Sequence, residues 1–338
     1  MSKGVVLVTG ASGYIAGFAI KQLLSEGWTV RGTIRSLARA EDVRTTLSAP
    51  HLQLFAADLT NDAGWAQAAA GADFMLHIAS PIPLAEPKNP DDLIIPARDG
   101  ALRALRAARD AGLKRVVMTS STAAICYGSN RGNDKVFTEA DWSNLDSPDS
   151  YAYIQSKTVA ERAARDFIAR EGGALEFCTI NPSAVLGPVL GKDFSASLQV
   201  VKKLMDGALP GLPRLGFPIV DARDIADLHI RAMVAPNMHG ERFLGSGEFL
   251  WLKDIAEILK FRLGAQAKRV PTRALPDFLL KAAALFDPTV RMVVPELGRA
   301  RRCDASHAKT VLGWQTRPAS ESITDCAQSL LAAGLIKP

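Results

Sequence analysis

The chain has 338 residues, 48% hydrophobic and 22% charged, a globular composition large enough for a substantial core and a second, smaller lobe. That balance excludes a disordered or low-complexity chain. Its formal charge of +5 comes from 40 basic against 35 acidic residues spread along the sequence, a mild bias with no nucleic-acid footprint.

From the N-terminus, MSKGVVLVTG runs straight into an apolar strand, and no targeting signal is expected. Apolar, β-branched runs at 4–10, 28–34, 52–58, 73–80, 114–121 and 175–182 predict strands. Segments of period 3.6 near 15–26, 38–48, 61–70, 91–111 and 152–171 predict helices between them. Near-continuous apolar strands alternating with helices mean a parallel sheet covered on both faces, an α/β doubly wound architecture. Beyond residue 183 the alternation degrades into Pro- and Gly-rich loops such as GALPGLPRLGFP at 207–218, with helices near 222–235 and 251–263. We therefore expect residues 1–182 to form the cofactor domain and 183–338 mainly a smaller substrate-binding lobe over the carboxyl edge of the sheet, with segments returning to it. ALPDFLLKAAALF at 274–286 is too short and too charged, through Asp277 and Lys281, to span a bilayer, and reads as a buried or partner-facing helix. GRARRCD at 298–304 reads as a solvated helix start, with a site for an anionic ligand as the alternative. Cys126, Cys178, Cys303 and Cys326 show neither CxxC spacing nor His partners at metal-ligand intervals, so we expect reduced, packed thiols in a cytoplasmic protein and no metal.

The loop VTGASGYIAG after the first strand opens a helix, the context that a phosphate-binding glycine loop requires. Gly10 permits the tight turn and Gly13 lets the backbone approach a pyrophosphate. Ser12, Tyr14 and Ile15 stand beside them, where helix-start amides offer donors to anionic oxygens. Ala16 occupies the usual third glycine position, with Gly17 just after it. A strand that grips the ribose hydroxyls of NAD places an acid near its end, but the second strand here ends GTIRSLAR. Arg35 and Arg39 are instead suited to clamp the 2′-phosphate of NADP(H). Asp58, followed by Leu59, is placed to accept from the adenine amino group, and HIASP brings Ile78, Ala79 and Ser80 to the end of the fourth strand with room for a ribose.

The fifth strand ends in the hydroxyls of TSST, and YAYIQSK follows some 30 residues later. On a helix, residues four apart lie about 40° apart around the axis and residues six apart about 240°, so Tyr153 faces Lys157 and Tyr151 does not. Tyr153 with a neighbouring serine would supply the proton donor and polariser that a hydride-accepting carbonyl needs. Lowering a tyrosine pKa from 10 toward 7 asks roughly 4 kcal/mol of Lys157 and the cofactor charge. His77 inside an apolar strand and His51 at a strand entry read as structural, and Asp221 and Asp224 as organisers of a helix start.

These motifs, TGASGYIA, DLT, TSS, YIQSK, NPSAVLGP, VDARDIAD and VLGW, occur in the order found in the extended short-chain dehydrogenase/reductases, a family that the chain resembles over nearly its whole length. VRGTIRS, HIASP, EADW and YIQSKTVAERAA are most similar to the group of dihydroflavonol, cinnamoyl-CoA and yeast-type aldehyde reductases. The resemblance implies a Rossmann-like fold, NADPH as cofactor and carbonyl reduction. It implies Ser121 as the catalytic serine, with Ser120 or Thr122 open after a one-residue slip, and Pro182 and Ser197 beside the cofactor. Cys126 stands where plant dihydroflavonol reductases carry an asparagine, which argues against flavonoid specificity.

Phe194, Leu198, Leu209, Leu212, Leu215 and Phe217, with IPLAEP after HIASP, suggest an apolar pocket for a hydrophobic aldehyde, ketone or alcohol. No paired-arginine clamp for a diphosphate is evident, although Lys192, Lys202, Lys203 and Arg214 are near. An NAD-dependent nucleotide-sugar epimerase or dehydratase is a second reading, opposed by Arg35. A cofactor sensor without turnover is a third, opposed by the presence of both Tyr153 and Lys157. No membrane or nucleic-acid partner is expected, and the chain is expected as a monomer or homodimer.

Overall fold

The computed structural model describes residues 3–82, 86–128, 135–191 and 196–336. The first strands are Val5–Val8 (β1), Thr29–Ile34 (β2), Gln53–Ala56 (β3), Phe74–His77 (β4) and Arg115–Thr119 (β5). They are followed by Val136–Phe137 (β6), Glu176–Pro182 (β7), Ala184–Leu186 (β8) and Gly216–Asp221 (β9). Arg242–Gly245 (β10), Phe249–Trp251 (β11) and Arg302–Cys303 (β12) come last. Seven of them form one parallel sheet in the order β10-β7-β5-β4-β1-β2-β3. The chain leaves β1 for β2 and β3 on one side and for β4 onward on the other, which opens a crevice at the strand carboxyl ends.

Strand alternation explains why β1 is apolar throughout. Val6 and Val8 face a core shared with Tyr14–Ser25 (α1), Ala40–Leu47 (α2) and, later in the chain, Ala222–Val234, whereas Leu7 faces the opposite core. That second core is covered by Trp65–Ala69 (α3), Asp91–Asp110 (α4) and Ala152–Glu171 (α5). Ala104 and Ala108 of α4 share it with Ala160 and Ala164 of α5, small residues that let the two helices lie close. A third core joins Ala196–Met205 (α6), the helix Leu252–Leu263 and the helix Ala319–Ala332 through Leu198, Leu204, Ile255, Leu259, Ile323 and Leu330. It packs under a small sheet of order β11-β9-β8. The result is the Rossmann-like α/β architecture, with β10 joining the seven-stranded sheet and the helix Ala222–Val234 (α7) its first core after the small sheet has begun.

Several local expectations are corrected. The helix expected over 61–70 begins only at Trp65, because Asp58 and Asn61 turn the backbone by accepting from the amides of Thr60 and Ala63 at 2.8 Å each. Gly64, at φ +84°, starts it, and a Cβ there would lie 1.9 Å from the Ala56 carbonyl oxygen. Of the two expectations for residues 274–286, burial is the one overturned: they contribute the short helix Asp277–Ala283, which buries none of its residues, and Phe278, Leu285 and Phe286 are exposed. GRARRCD is no helix start. Arg302 and Cys303 pair in parallel with Val136 and Phe137, while Arg299 and Arg301 meet the buried carboxylate of Asp149 at 2.6 and 3.5 Å. All four cysteines are free thiols, but Cys126 and Cys303, 177 residues apart, touch with their sulfurs at 3.4 Å. Among the described residues, no helix is long and apolar enough to cross a membrane and no cluster of three metal-ligating side chains occurs.

Candidate active site

The phosphate loop is built by β1 and α1. Gly10, at φ +69°, turns the chain so that its amide donates to Thr33 Oγ1 at 3.1 Å, and a Cβ there would press on Ala79 at 3.0 Å. Gly13 is the N-terminal cap of α1, exposed beside Ser12, and a Cβ on it would meet only the Gly10 carbonyl oxygen, at 3.1 Å. The approach to the helix N-terminus is thus open to an anion. Tyr14 and Ile15 turn their side chains into the core, and the buried Tyr14 hydroxyl has no hydrogen-bond partner. Only their amides remain for a ligand. Gly17 does the close packing expected of a third glycine: a Cβ there would lie 2.8 Å from Leu190 and 3.1 Å from Leu47.

At the end of β2, Arg35 is exposed and no carboxylate takes the place that an NAD-type ribose contact would need. The late acids are engaged within their own helix, Asp42 by Arg39 at 3.3 Å and Glu41 by Arg44. Asp58 is held below the usual carboxylate range first by the Thr60 hydroxyl and amide, then by the charges of Arg35 and Arg103. Leu59 beside it packs on Gly100 of α4. These residues fit a dinucleotide with a 2′-phosphate: open helix amides, an exposed arginine at the adenosine end and no opposing acid.

The end of β4 is tied to β1 by Thr9, whose hydroxyl accepts from the Ala79 amide at 3.0 Å and contacts His77 Nδ1 at 3.0 Å. Burial, then the nearby Lys157 charge, pushes the His77 pKa down to about 4, so this ring is neutral at pH 7. Ile78 is half-buried, and Ser80 accepts a hydrogen bond from Lys157 Nζ at 2.7 Å. Lys157 is 6% exposed, and burial pushes its pKa down to about 8. Its ammonium lies 5.6 Å from the centre of the Tyr153 ring, the geometry that four-residue helical spacing predicts.

Each of the three hydroxyls after β5 has a distinct environment. Ser120 donates to Glu161 Oε2 at 2.5 Å, and Thr122 donates to the Pro182 carbonyl at 3.2 Å. Ser121 caps the turn Thr122–Ala124 by accepting from the Ala123 amide at 3.0 Å, and it lies close enough to the Tyr153 phenol to lower its pKa. Burial raises the Tyr153 pKa above its ordinary value and the Ser121 contact pulls it back. The depression toward 7 expected from Lys157 and the cofactor charge together is not present in the protein alone.

Tyr151 points elsewhere. Its ring meets Tyr127 edge-on at 6.2 Å, and Arg301 lies 4.0 Å over Tyr127. Burial pushes the Tyr151 pKa up to about 12. Glu86, which sequence reasoning passed over, accepts from the Ala152 amide at 2.8 Å and so satisfies a donor at the start of α5. Pro182 is buried at the end of β7, and Ser197 is half-buried in the first turn of α6.

Of the residues expected to line a substrate pocket, Leu198 and Leu212 are core residues of the lobe, and Leu209, Leu215 and Phe217 pack against that core from its edge. Phe194 and Lys192 lie outside the described residues, as do 83–85 of IPLAEP. Lys202 is paired with Asp206 at 2.5 Å and Arg214 with Asp277 at 2.9 Å. The Cys126 side chain, 1% exposed, sits among Ile125, Phe137 and Leu244 rather than on the open face of the site.

A parallel sheet with a glycine loop at its switch point and a Tyr-Lys pair at the adjoining strand end defines a nucleotide-dependent α/β enzyme. The chain belongs to the NAD dependent epimerase/dehydratase family, whose model matches residues 6–244, in agreement with the resemblance to extended short-chain dehydrogenase/reductases. Within it the chain is similar to cinnamoyl-CoA reductase 1 of Arabidopsis thaliana, with 36% identity over 279 residues, 80% of this chain and 76% of that protein. It is 32% identical over 216 residues to dihydroflavonol 4-reductase of Hordeum vulgare, covering 61% of this chain and 60% of that one. The structure of yeast methylglyoxal/isovaleraldehyde reductase Gre2 complexed with NADPH superposes with a TM-score of 0.82 at 26% identity, covering 98% of this chain and 100% of that one.

Proposed function

We propose that this NADP(H)-dependent oxidoreductase reduces hydrophobic aldehydes and ketones, with Tyr153 as proton donor. The observation that carries the reading is the grouping of Ser121, Tyr153 and Lys157, in which Ser121 is the hydroxyl of the TSST segment that influences the phenol while Ser120 and Thr122 donate to Glu161 and the Pro182 carbonyl. Gly10, Gly13 and the amides that follow would hold the pyrophosphate, Arg35 the 2′-phosphate, and Ile78, Ala79, Ser80 and Pro182 would flank the ribose and nicotinamide. When bound, NADPH supplies the hydride. Ser121 orients and polarises the carbonyl, and Tyr153 gives its proton to the oxygen as the C–H bond forms, so that carbonyl, hydride and proton together make the alcohol. Lys157 stabilises the phenolate left behind and can exchange Ser80 for ribose hydroxyls. The hydrophobic substrate class is supported by the cinnamoyl group and the isovaleraldehyde in the names of two relatives, the second of which is named for methylglyoxal as well.

The test is a matched panel of aryl ketones, aliphatic aldehydes, dihydroflavonols and nucleotide-sugars with NADPH. Turnover of the first two groups is expected, with alcohol oxidation favoured at higher pH. Turnover confined to nucleotide-sugars would refute the reading, and strong selectivity for dihydroflavonols would overturn the weight given to Cys126.

A further inference from the structure

Glu161 continues the stripe of Tyr153 and Lys157 by one more helical turn and is fully buried. We propose that Glu161 is a positioning residue that sets Ser121 against Tyr153, acting through Asn181 and holding the Ser120 hydroxyl out of competition; this rests on reading Ser121, Tyr153 and Lys157 as the reacting groups. One carboxylate oxygen, Oε2, accepts from Ser120 Oγ at 2.5 Å and from Asn181 Nδ2 at 2.8 Å. The same Asn181 amide nitrogen donates to the Ser121 carbonyl at 3.1 Å. The peptide joining Ser120 to Ser121 is therefore held on both sides, by a side chain before it and a carbonyl after it.

The other oxygen, Oε1, accepts from Arg242 Nε at 2.6 Å, Arg165 Nε at 3.2 Å and Thr179 Oγ1 at 3.3 Å. Burial alone would raise the carboxyl pKa, but Arg242, Arg165 and Ser120 hold it below the usual range, so it stays ionised. Arg242 also donates to the Ala124 carbonyl at 3.4 Å, which ties down the far end of the turn that Ser121 caps. Arg242 also donates to the Glu139 and Asp141 carbonyls at 2.8 and 2.5 Å, so the network braces that loop as well as both ends of this five-residue segment. With Ser120 committed to Glu161, its hydroxyl cannot compete with Ser121 for the substrate oxygen.

A misplacement of about 1 Å in a reacting group can cost roughly 100-fold in rate, and that scale sets the test. Glu161→Gln, Asn181→Ala, Ser120→Ala, Ser121→Ala and Tyr153→Phe are compared in kcat, KM, NADPH affinity, melting temperature and the primary isotope effect with NADPH dideuterated at nicotinamide C4. Asn181→Ala and Glu161→Gln should lower kcat by about 10- to 100-fold, keep NADPH affinity within about twofold and raise the isotope effect, because hydride transfer becomes the slow step. Ser120→Ala should lower kcat by only a few fold. If Glu161→Gln does not fold, Asn181→Ala carries the comparison, since it cuts the tie to Ser121 and leaves the Glu161–Arg242 ion pair intact. Unchanged kcat and isotope effect in Asn181→Ala with a lowered melting temperature would reduce Glu161 to a structural role, even where Tyr153→Phe is inactive. Ser120→Ala as crippling as Ser121→Ala would make Ser120 a reacting group and overturn the proposal. Full turnover by Tyr153→Phe would instead remove the reading on which it rests.

Discussion

Lys157→Met should abolish turnover and make the protein more stable at pH 7. The lysine is 6% exposed, and burial brings its pKa from the ordinary 10.5 down to about 8. At about 1.4 kcal/mol per pH unit, keeping the ammonium charged inside the fold costs about 3–4 kcal/mol. Methionine keeps an unbranched stem without the charge, while loss of the hydrogen bond to Ser80 gives back about 1 kcal/mol, leaving a net gain of about 2–3 kcal/mol. The sign of the pH dependence follows from proton binding. Below about pH 8 both folded and unfolded states carry the charge and the full cost is present. Between about 8 and 10.5 the unfolded chain binds the extra proton, so the parent protein gains stability as the pH rises and the advantage of the variant disappears. Urea unfolding followed by the fluorescence of the five tryptophans at pH 7, 9 and 10.5 measures this directly. A variant less stable than the parent at pH 7, or a gap indifferent to pH, would refute the burial argument.

Tyr153→Phe should lower kcat by roughly 100- to 10,000-fold while NADPH binding, followed by fluorescence titration, changes little, because only the donated proton is lost. Tyr151→Phe should keep most of its activity, since that ring packs on Tyr127; comparable activity in the two variants would overturn the helical-face argument. Arg35→Asp should shrink the preference for NADPH over NADH in kcat/KM by about 10- to 100-fold, the worth of one or two charge-assisted hydrogen bonds. Equal kcat/KM for the two cofactors in the unmodified protein would contradict the assignment of Arg35.

What was legible in the sequence was what local periodicity controls. The predicted limits of α5, 152–171, coincide with those observed, and those of α4 differ by one residue, because apolar stripes and β-branched runs report which face is buried. The Tyr153–Lys157 contact was readable from helical spacing alone. Contacts made across the sheet left no such mark. Glu161 is one more acid on a helix until Arg242, 81 residues on, and Asn181, 20 residues on, close around it. The basic run at 298–304 looked solvated because its partners, Asp149 and Val136–Phe137, lie more than 140 residues upstream. Cys126 meets Cys303 for the same reason. The error over Leu198 and Leu212 has another origin: an apolar residue in a lobe facing a cleft can serve the lobe's own core or the cleft, and composition does not separate the two.

The late return of β10 to the sheet bears on how the chain is made. When β7 leaves the ribosome, the edge it presents has no neighbour, and the face covered by α1 still lacks Ile225, Leu228 and Phe243. The strand that closes that edge ends about 60 residues later, at Gly245. At about 5–20 residues per second this is a wait of about 3–12 s with an unpaired apolar strand in the cell, long enough for a chaperone to matter. A stop codon after residue 182 would make that interval permanent, so residues 1–182 alone should be recovered as aggregate rather than as a small folded protein.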